Sequence, residues 1–138
     1  MKHIIDLGWK HDMTFETDVD GHKLVLDANE ESGGNDNGPR PKKLMLVALA
    51  GCTAMDVVSI LKKMHVYPVE FNVLVEAEVA DDHPKKYTEA KVIYQFKGEN
   101  LPMDKLQKAI SLSEEKYCGI SATLKGALGL TTEIRIVE

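Results

Sequence analysis

The feature of this sequence that most restricts its fold is an apolar stretch over residues 44–55, which ends at Asp56. None of its residues is charged, and a helix drawn through it is apolar nearly all round. A membrane span needs about 20 such residues, so the shorter stretch predicts a buried core helix. Pro41 suits the first turn of a helix, and we therefore predict one long helix over residues 41–64.

An all-apolar helix has to be covered by neighbours on several sides. One sheet can cover only one side of it, and a second subunit can cover another. The stretch therefore predicts an intimate homodimer as well as a central buried helix.

Before the central helix, the sequence predicts a small sheet. Segments 13–19 and 22–26 flank Asp20-Gly21, which is a strong signal for a two-residue hairpin turn. Residues 4–9 are a candidate for a further strand, and the polar segment 29–38 is predicted to be a mobile surface loop.

After the central helix, two segments near residues 71–79 and 91–96 alternate with period two, and residues 81–86 connect them as a turn. They predict an antiparallel ribbon with one face exposed to solvent. A second helix is expected to open at Pro102, with one face formed by Met103, Leu106, Ile110, Ser113 and Tyr117.

Ser121 is predicted to cap a short third helix that ends near Gly129, and residues 131–137 alternate as a last strand. The order of elements indicates an α+β fold rather than a βαβ fold. A chain of 138 residues is predicted to form a single domain over residues 1–138.

Charge and thiol content limit the classes of partner and compartment. The net charge is −5, and the basic residues form no cluster beyond lysine pairs, which argues against a nucleic-acid partner. Asp6 interrupts the opening apolar residues, so no signal peptide is predicted. Two cysteines in such a chain indicate reduced thiols. We expect a cytoplasmic protein with no membrane partner.

Cys52 and Cys118 are the candidate catalytic residues. Cys52 lies in the middle of the apolar helix, where a cysteine is ordinarily a small core residue. Gly51 beside it weakens that interpretation, because a glycine inside a helix costs about 1 kcal/mol and should have a packing reason. Cys118 falls at a junction before the third helix, whose N–H groups can stabilise a thiolate.

No cofactor and no metal site are predicted, because the histidines form no helical pair and the cysteines no Cys-x-x-Cys motif. Asp56 lies one helical turn after Cys52. It either makes a polar contact at the end of the apolar stretch or accepts hydrogen bonds near the thiol, and an ionised Asp56 close to Cys52 would raise the thiol pKa.

Two motifs resemble those of the OsmC/Ohr family of osmotically inducible and organic hydroperoxide resistance proteins. The first is Gly-Pro-Arg-Pro-Lys-Lys-Leu at 38–44, followed by a small-residue helix into Ala-Gly-Cys at 50–52. The second is Tyr-Cys-Gly-Ile-Ser at 117–121. The order of elements is also similar over nearly the whole chain.

The resemblance implies an OsmC-like fold, in which antiparallel sheets wrap around central buried helices, and an intertwined homodimer. It also implies a thiol-dependent peroxidase acting on organic hydroperoxides. Cys52 would be the peroxidatic cysteine and Cys118 the resolving one. The peroxide would oxidise Cys52 to a sulfenic acid, a Cys52–Cys118 disulfide would form, and an external dithiol would reduce it.

The chain resembles a divergent member, because the family's thiolate-stabilising arginine–glutamate pair is missing. Lys42 stands at the position of the glutamate, and Lys42 or Arg40 is the candidate thiolate-stabilising cation here. Two alternatives remain open: a non-catalytic dimer that binds a small hydrophobic ligand in the interface cleft, and a structural dimer with inert core thiols.

Overall fold

The computed structural model describes all 138 residues. Backbone contacts divide the chain into two compact units, Met1–Met45 and Leu46–Glu138. A single domain over residues 1–138 stays a prediction. The helices and strands, in chain order, are β1 (Gly8–His11), β2 (Thr14–Val19), β3 (His22–Leu26), α1 (Leu44–Lys63), β4 (Glu70–Val79), β5 (Tyr87–Lys97), α2 (Met103–Leu112), α3 (Gly119–Leu124) and β6 (Gly129–Val137).

The N-terminal unit contains a three-stranded antiparallel sheet in the order β1-β2-β3. Asp20 and Gly21 connect β2 to β3 with φ angles of 52° and 82°, which is the left-handed geometry of the predicted hairpin turn. Strand β1 begins at Gly8, later than the predicted start at residue 4, because it pairs with β2 only from that residue onward.

The polar segment after β3 is tied to the sheet by one buried carboxylate. Asp27 accepts hydrogen bonds from the hydroxyl of Thr14 at 3.0 Å and from the backbone N–H groups of Ala28, Asn35 and Asn37 at 2.8, 3.3 and 3.1 Å. The sequence predicted an ordinary surface loop here. The pattern of loop N–H groups converging on Asp27 depends on the path of the chain and is not visible in the order of residues.

The sheet of the C-terminal unit has the order β4-β5-β6. Strands β4 and β5 pair antiparallel as predicted, but β6 pairs parallel to β5. The α+β class is confirmed, and the expectation of purely antiparallel sheets is wrong for this pair. Parallel neighbours need a crossover connection, and the segment containing α2 and α3 supplies one.

Strand β5 carries the centre of the core, because it is the middle strand of this sheet. Tyr94 and Phe96 are fully buried, and Val92 is 3% exposed. The ring of Phe71 on β4 stacks on Phe96 with centroids 4.7 Å apart. These residues lie on the faces that the alternating pattern predicted to be apolar.

Helix α1 is buried along one stripe only, not on several sides. The stripe has helical spacing and consists of Leu49, Thr53, Val57 and Leu61. Val47, Met55 and Val58 are 62%, 76% and 52% exposed. The predicted central buried helix is therefore only partly covered within one chain. The face that carries these three side chains has no cover within this chain.

The segment Pro41–Lys63 is also long and apolar enough to cross a membrane, with a mean hydropathy of 2.1 in its most apolar window. This is weak evidence of a span, because core helices of soluble proteins meet the same criterion.

Two details of the segment after β5 differ from the prediction. Leu106, Ile110 and Ser113 are buried as expected, but Met103 and Tyr117 are exposed. Tyr117 leaves the buried face because residues Ser113–Tyr117 form a π-helical turn, which shifts the helical register. Helix α3 runs over Gly119–Leu124, so it starts before Ser121 and stops short of Gly129.

Candidate active site

Cys52 and Asp56 lie on one flank of α1. Their spacing of four residues places both side chains on the same face of the helix, one turn apart. This flank lies between the buried stripe and the exposed apolar face, and both residues are accordingly half-buried. Cys52 is therefore not a fully buried core thiol.

Cys118 is the N-cap of α3, the position that the sequence had assigned to Ser121. Its Sγ accepts a hydrogen bond from the backbone N–H of Ser121 at 3.3 Å. Its own N–H donates to the carbonyl of Ser113 at 2.7 Å, which closes the π-helical turn. The residue is 2% exposed. One N–H group of the third helix therefore points at this sulfur, and its role in stabilising a Cys118 thiolate stays a prediction.

The fold brings Cys52, Cys118 and Asp56 together. One ligand atom of each, the two Sγ atoms and a carboxylate oxygen, all lie within 4.8 Å of one another. Both cysteines are free thiols. The sequence identified the three residues but could not show that they meet, because Cys118 belongs to a different element and lies far along the chain.

The surroundings of Cys52 favour the protonated thiol. Burial raises the pKa of Cys52 most, and a hydrogen bond to Cys118 and the nearby charge of Asp56 raise it further. The backbone N–H of Ile120, in the first turn of α3, lowers the pKa of Cys52 but does not outweigh these effects. The sign expected for Asp56 from its position one turn away is confirmed.

Asp56 is held by a buried chain of hydroxyl groups that sequence reasoning missed. Ser113 Oγ donates to Asp56 Oδ2 at 2.9 Å. Thr53 Oγ1 lies 2.9 Å from Ser113 Oγ and 2.7 Å from Tyr94 Oη. Three of the four residues are fully buried. Thr53 inside the apolar stretch was the available signal, since a buried hydroxyl needs a partner.

The carboxylate fixes the direction of these hydrogen bonds. An ionised Asp56 only accepts, so Ser113 donates to it and must accept from Thr53, which in turn accepts from Tyr94. Burial raises the pKa of Tyr94 to about 12, so its hydroxyl stays protonated and can be the first donor. This series of hydroxyl groups therefore orients the Asp56 carboxylate beside the two thiols.

The candidate thiolate-stabilising cations, Arg40 and Lys42, belong to the N-terminal unit. Arg40 pairs with Asp36 at 2.6 Å and donates to the carbonyl of Gly38 at 2.8 Å. Lys42 lies in a 3₁₀ turn, Pro41–Lys43, that leads into α1. Their role toward Cys52 stays a prediction.

An apolar cavity of about 300 Å³ opens at the C-terminal end of α1. No cysteine lines it. Its walls come from α1, the segment after it and the start of β4, and are formed by Val58, Leu61, Lys62, Val66, Tyr67, Pro68 and Phe71.

Comparison with known proteins gives one family and full-length structural matches. The sequence model of the family described as OsmC-like protein matches residues 33–133. Protein YhfA of Escherichia coli (strain K12) is 31% identical over 130 residues, which cover 94% of each chain.

Two solved structures illustrate the likeness of the fold. A hypothetical protein from Aquifex aeolicus VF5 superposes with a TM-score of 0.85 at 25% identity, covering 99% of this chain and 98% of that one. A Legionella pneumophila protein described as an organic hydroperoxide resistance protein OsmC superposes with a TM-score of 0.67 at 17% identity, covering 98% of this chain and 97% of that one.

Proposed function

This chain belongs to the OsmC-like protein family, and from that premise we propose that it is a thiol-dependent peroxidase that reduces organic hydroperoxides at Cys52. The observation that carries the proposal is the meeting of the Cys52 and Cys118 thiols within 4.8 Å. A structural neighbour described as an organic hydroperoxide resistance protein supports the substrate class.

In the first step, the Cys52 thiolate attacks the terminal oxygen of the hydroperoxide. The O–O bond breaks, Cys52 becomes a sulfenic acid, and the alkoxide takes up a proton and leaves as an alcohol. Cys52 is the better candidate for this step because it is half-buried, whereas Cys118 is 2% exposed.

In the second step, the Cys118 sulfur attacks the sulfenic sulfur, water leaves, and a disulfide forms. The two sulfurs have only to close from within 4.8 Å to a bond of about 2.05 Å. A dithiol reductant then restores both thiols by thiol–disulfide exchange and is itself oxidised to a disulfide.

A cation is needed to offset the raised pKa of Cys52. We propose Lys42 for this role, with Arg40 as the second candidate, because Lys42 stands where the family's motif has its glutamate and Arg40 is the arginine of the same motif. Replacing Lys42 with alanine is expected to slow the oxidation of Cys52 several-fold, whereas the neighbouring Lys43→Ala is expected to have little effect.

The proposed assembly is a homodimer in the cytoplasm. Its motivation is the exposed apolar face of α1, which carries Val47, Met55 and Val58. Reduced thiols are the resting state that the cycle requires, which fits a reducing compartment.

The test is the initial rate of cumene hydroperoxide consumption in the presence of a dithiol. Cys52→Ser is expected to abolish consumption. With the dithiol left out, Cys118→Ser is expected to consume one equivalent and then stop, because the sulfenic acid forms but is not resolved to the intramolecular disulfide. Turnover by Cys52→Ser at the wild-type rate would end the proposal.

A second function is favoured by the apolar cavity of about 300 Å³. In this second function the cavity would bind a small hydrophobic molecule, and Lys62 in its wall could pair with an anionic group of that ligand. Native mass spectrometry of the purified protein tests it: a copurifying small molecule that Phe71→Trp displaces, with thiols inert to hydroperoxide, would replace the peroxidase with this function.

A further inference from the structure

The cluster of Cys52, Asp56 and Cys118 has the composition of a metal site as well as of a redox pair. Its three donor atoms come from two elements, α1 and the cap of α3, and lie within 4.8 Å of one another. We propose that, when both cysteines are reduced, these three side chains bind a single thiophilic divalent cation of the Zn²⁺ type.

The donor set selects the class of ion. Two thiolates and one carboxylate are ligands that Zn²⁺ accepts, whereas Mg²⁺ and Ca²⁺ require oxygen ligands. Tetrahedral Zn²⁺ with bonds of about 2.0–2.3 Å holds neighbouring ligand atoms roughly 3.5–3.8 Å apart. The observed spacing of at most 4.8 Å needs a closure of about 1 Å. Three protein ligands leave a fourth position for water.

Two of the three donor groups are held in place by hydrogen bonds, as the ligands of protein metal sites are. Ser113 donates to Asp56 Oδ2 and is itself held by Thr53, so the carboxylate is oriented from behind. The N–H of Ser121 donates to Cys118 Sγ and fixes that sulfur. Hydrogen bonds of this kind orient the ligands of metal sites and increase their affinity.

The charge of the cluster and its accessibility to solvent also suit a divalent cation. Two thiolates and a carboxylate would place three negative charges in a partly buried cluster, and a divalent cation offsets most of that charge. Cys52 and Asp56 are half-buried and Cys118 is buried, so the ion reaches the cluster from the side of α1. On the proposed function, bound metal occupies the Cys52 lone pair that attacks peroxide, so the two activities exclude each other.

The test is a titration of the reduced, chelator-treated full-length protein with Co²⁺ under nitrogen. Cobalt bound to thiolates gives a sulfur-to-metal charge-transfer band that needs no enzyme activity. The expected result is one Co²⁺ per chain, displaced by one equivalent of Zn²⁺. The band should be absent in Cys52→Ser, in Cys118→Ser and in the disulfide form of the wild type.

The Asp56→Asn variant tests whether Asp56 is a metal ligand or only supports the structure. The amide keeps the hydrogen bond from Ser113 but loses the charge, so Co²⁺ affinity is expected to fall about tenfold or more. The same change removes a negative charge beside Cys52, so its thiol should react faster with iodoacetamide in the absence of metal. A variant that merely misfolds would not show opposite changes. Asp104→Asn, an exposed acid on α2, is the matched control.

A reduced wild-type protein that gives no charge-transfer band at about 100 μM Co²⁺ would overturn the proposal, since that concentration corresponds to a weak site. An Asp56→Asn variant with unchanged Co²⁺ affinity would also overturn it. Neither result bears on the peroxidase, because hydroperoxide consumption is measured separately in metal-free protein. Equally, a protein that binds Co²⁺ but ignores hydroperoxides would retain the metal site and lose the proposed function.

Discussion

Thr53 is the residue that joins the core to the candidate active site. It sits in the buried stripe of α1, and its hydroxyl lies 2.7 Å from Tyr94 Oη and 2.9 Å from Ser113 Oγ. No buried polar side-chain atom lacks a hydrogen-bond partner in this structure. The chain of hydroxyls is therefore fully paired, and removal of Thr53 from it leaves the Tyr94 hydroxyl unpaired and Ser113 with only its bond to Asp56.

Replacing Thr53 with valine keeps the volume but removes the shared hydroxyl. The free energy of unfolding is expected to fall by about 1–3 kcal/mol, because the Tyr94 and Ser113 hydroxyls lose a partner while buried. Denaturant unfolding measures it. The matched control is Thr132→Val at an exposed position of β6, which should change stability by less than about 0.5 kcal/mol. Equal effects of the two substitutions would contradict the account of the network.

Sequence patterns predicted the individual elements well, and their mutual arrangement less well. Alternation and turn signals located β2, β3, β4 and β5. The apolar stretch located α1, which was predicted over residues 41–64 and runs over Leu44–Lys63 after a 3₁₀ turn at Pro41–Lys43. The parallel pairing of β6 with β5 was missed, because period-two alternation carries no information about strand direction. The cap of α3 was misassigned, because a cysteine is an unusual N-cap and Ser121 has the ordinary capping chemistry.

The candidate site was predictable in its residues but not in its geometry. Cys52 and Asp56 share a helix, so their proximity follows from the helical repeat. The approach of Cys118 and Ser113 depends on the π-helical turn Ser113–Tyr117, which no sequence signal announces. Nothing within this chain explains why position 51 is a glycine, since a Cβ added to Gly51 would meet no atom within 4 Å.

At the scale of the elements, the loop after β3 makes a prediction about acid stability. Burial raises the pKa of Asp27, but hydrogen bonds from Asn37, Thr14, Ala28 and Asn35 outweigh it and leave that pKa below its ordinary value. The resulting stabilisation is fully present above the unfolded pKa of about 3.9 and is lost as the pH falls through the lower folded value.

Guanidinium unfolding midpoints at pH 7 and near pH 3 test this linkage. The wild type is expected to lose stability over that interval, whereas Asp27→Asn should be less stable at pH 7 and lose less of its stability on acidification. Asp18→Asn, at an exposed position of β2, is the control and should behave as the wild type does. Parallel losses in wild type and Asp27→Asn would show that this carboxylate does not govern the acid response.

At the scale of the whole molecule, α1 presents more apolar surface than one chain can cover. Met55 is 76% exposed and lies within one turn of the half-buried Cys52. A partner on this face would cover the apolar side chains and close the exposed side of the active site. It would also supply the close approach that explains Gly51.

The dimer is tested by placing a charge on this face. Met55→Glu is expected to raise the dimer dissociation constant more than about a hundredfold, since a buried unpaired charge costs about 3 kcal/mol or more. Sedimentation velocity over a concentration series measures it. Met103→Glu, at the exposed methionine of α2, should leave the dimer intact. A wild type that sediments as a monomer at about 100 μM, a concentration far above the dissociation constants of stable dimers, would refute this assembly.

The central claim is that Cys52 and Cys118 form one redox unit, and a thiol count tests it most directly. Reduced, metal-free protein is mixed with one equivalent of cumene hydroperoxide, with hydrogen peroxide in parallel, and accessible thiols are counted in denaturant. The account predicts rapid loss of both thiols per chain with the organic peroxide, reversal by a dithiol, and no disulfide in Cys52→Ser. Thiols that survive for minutes would contradict it and leave the fold without this chemistry.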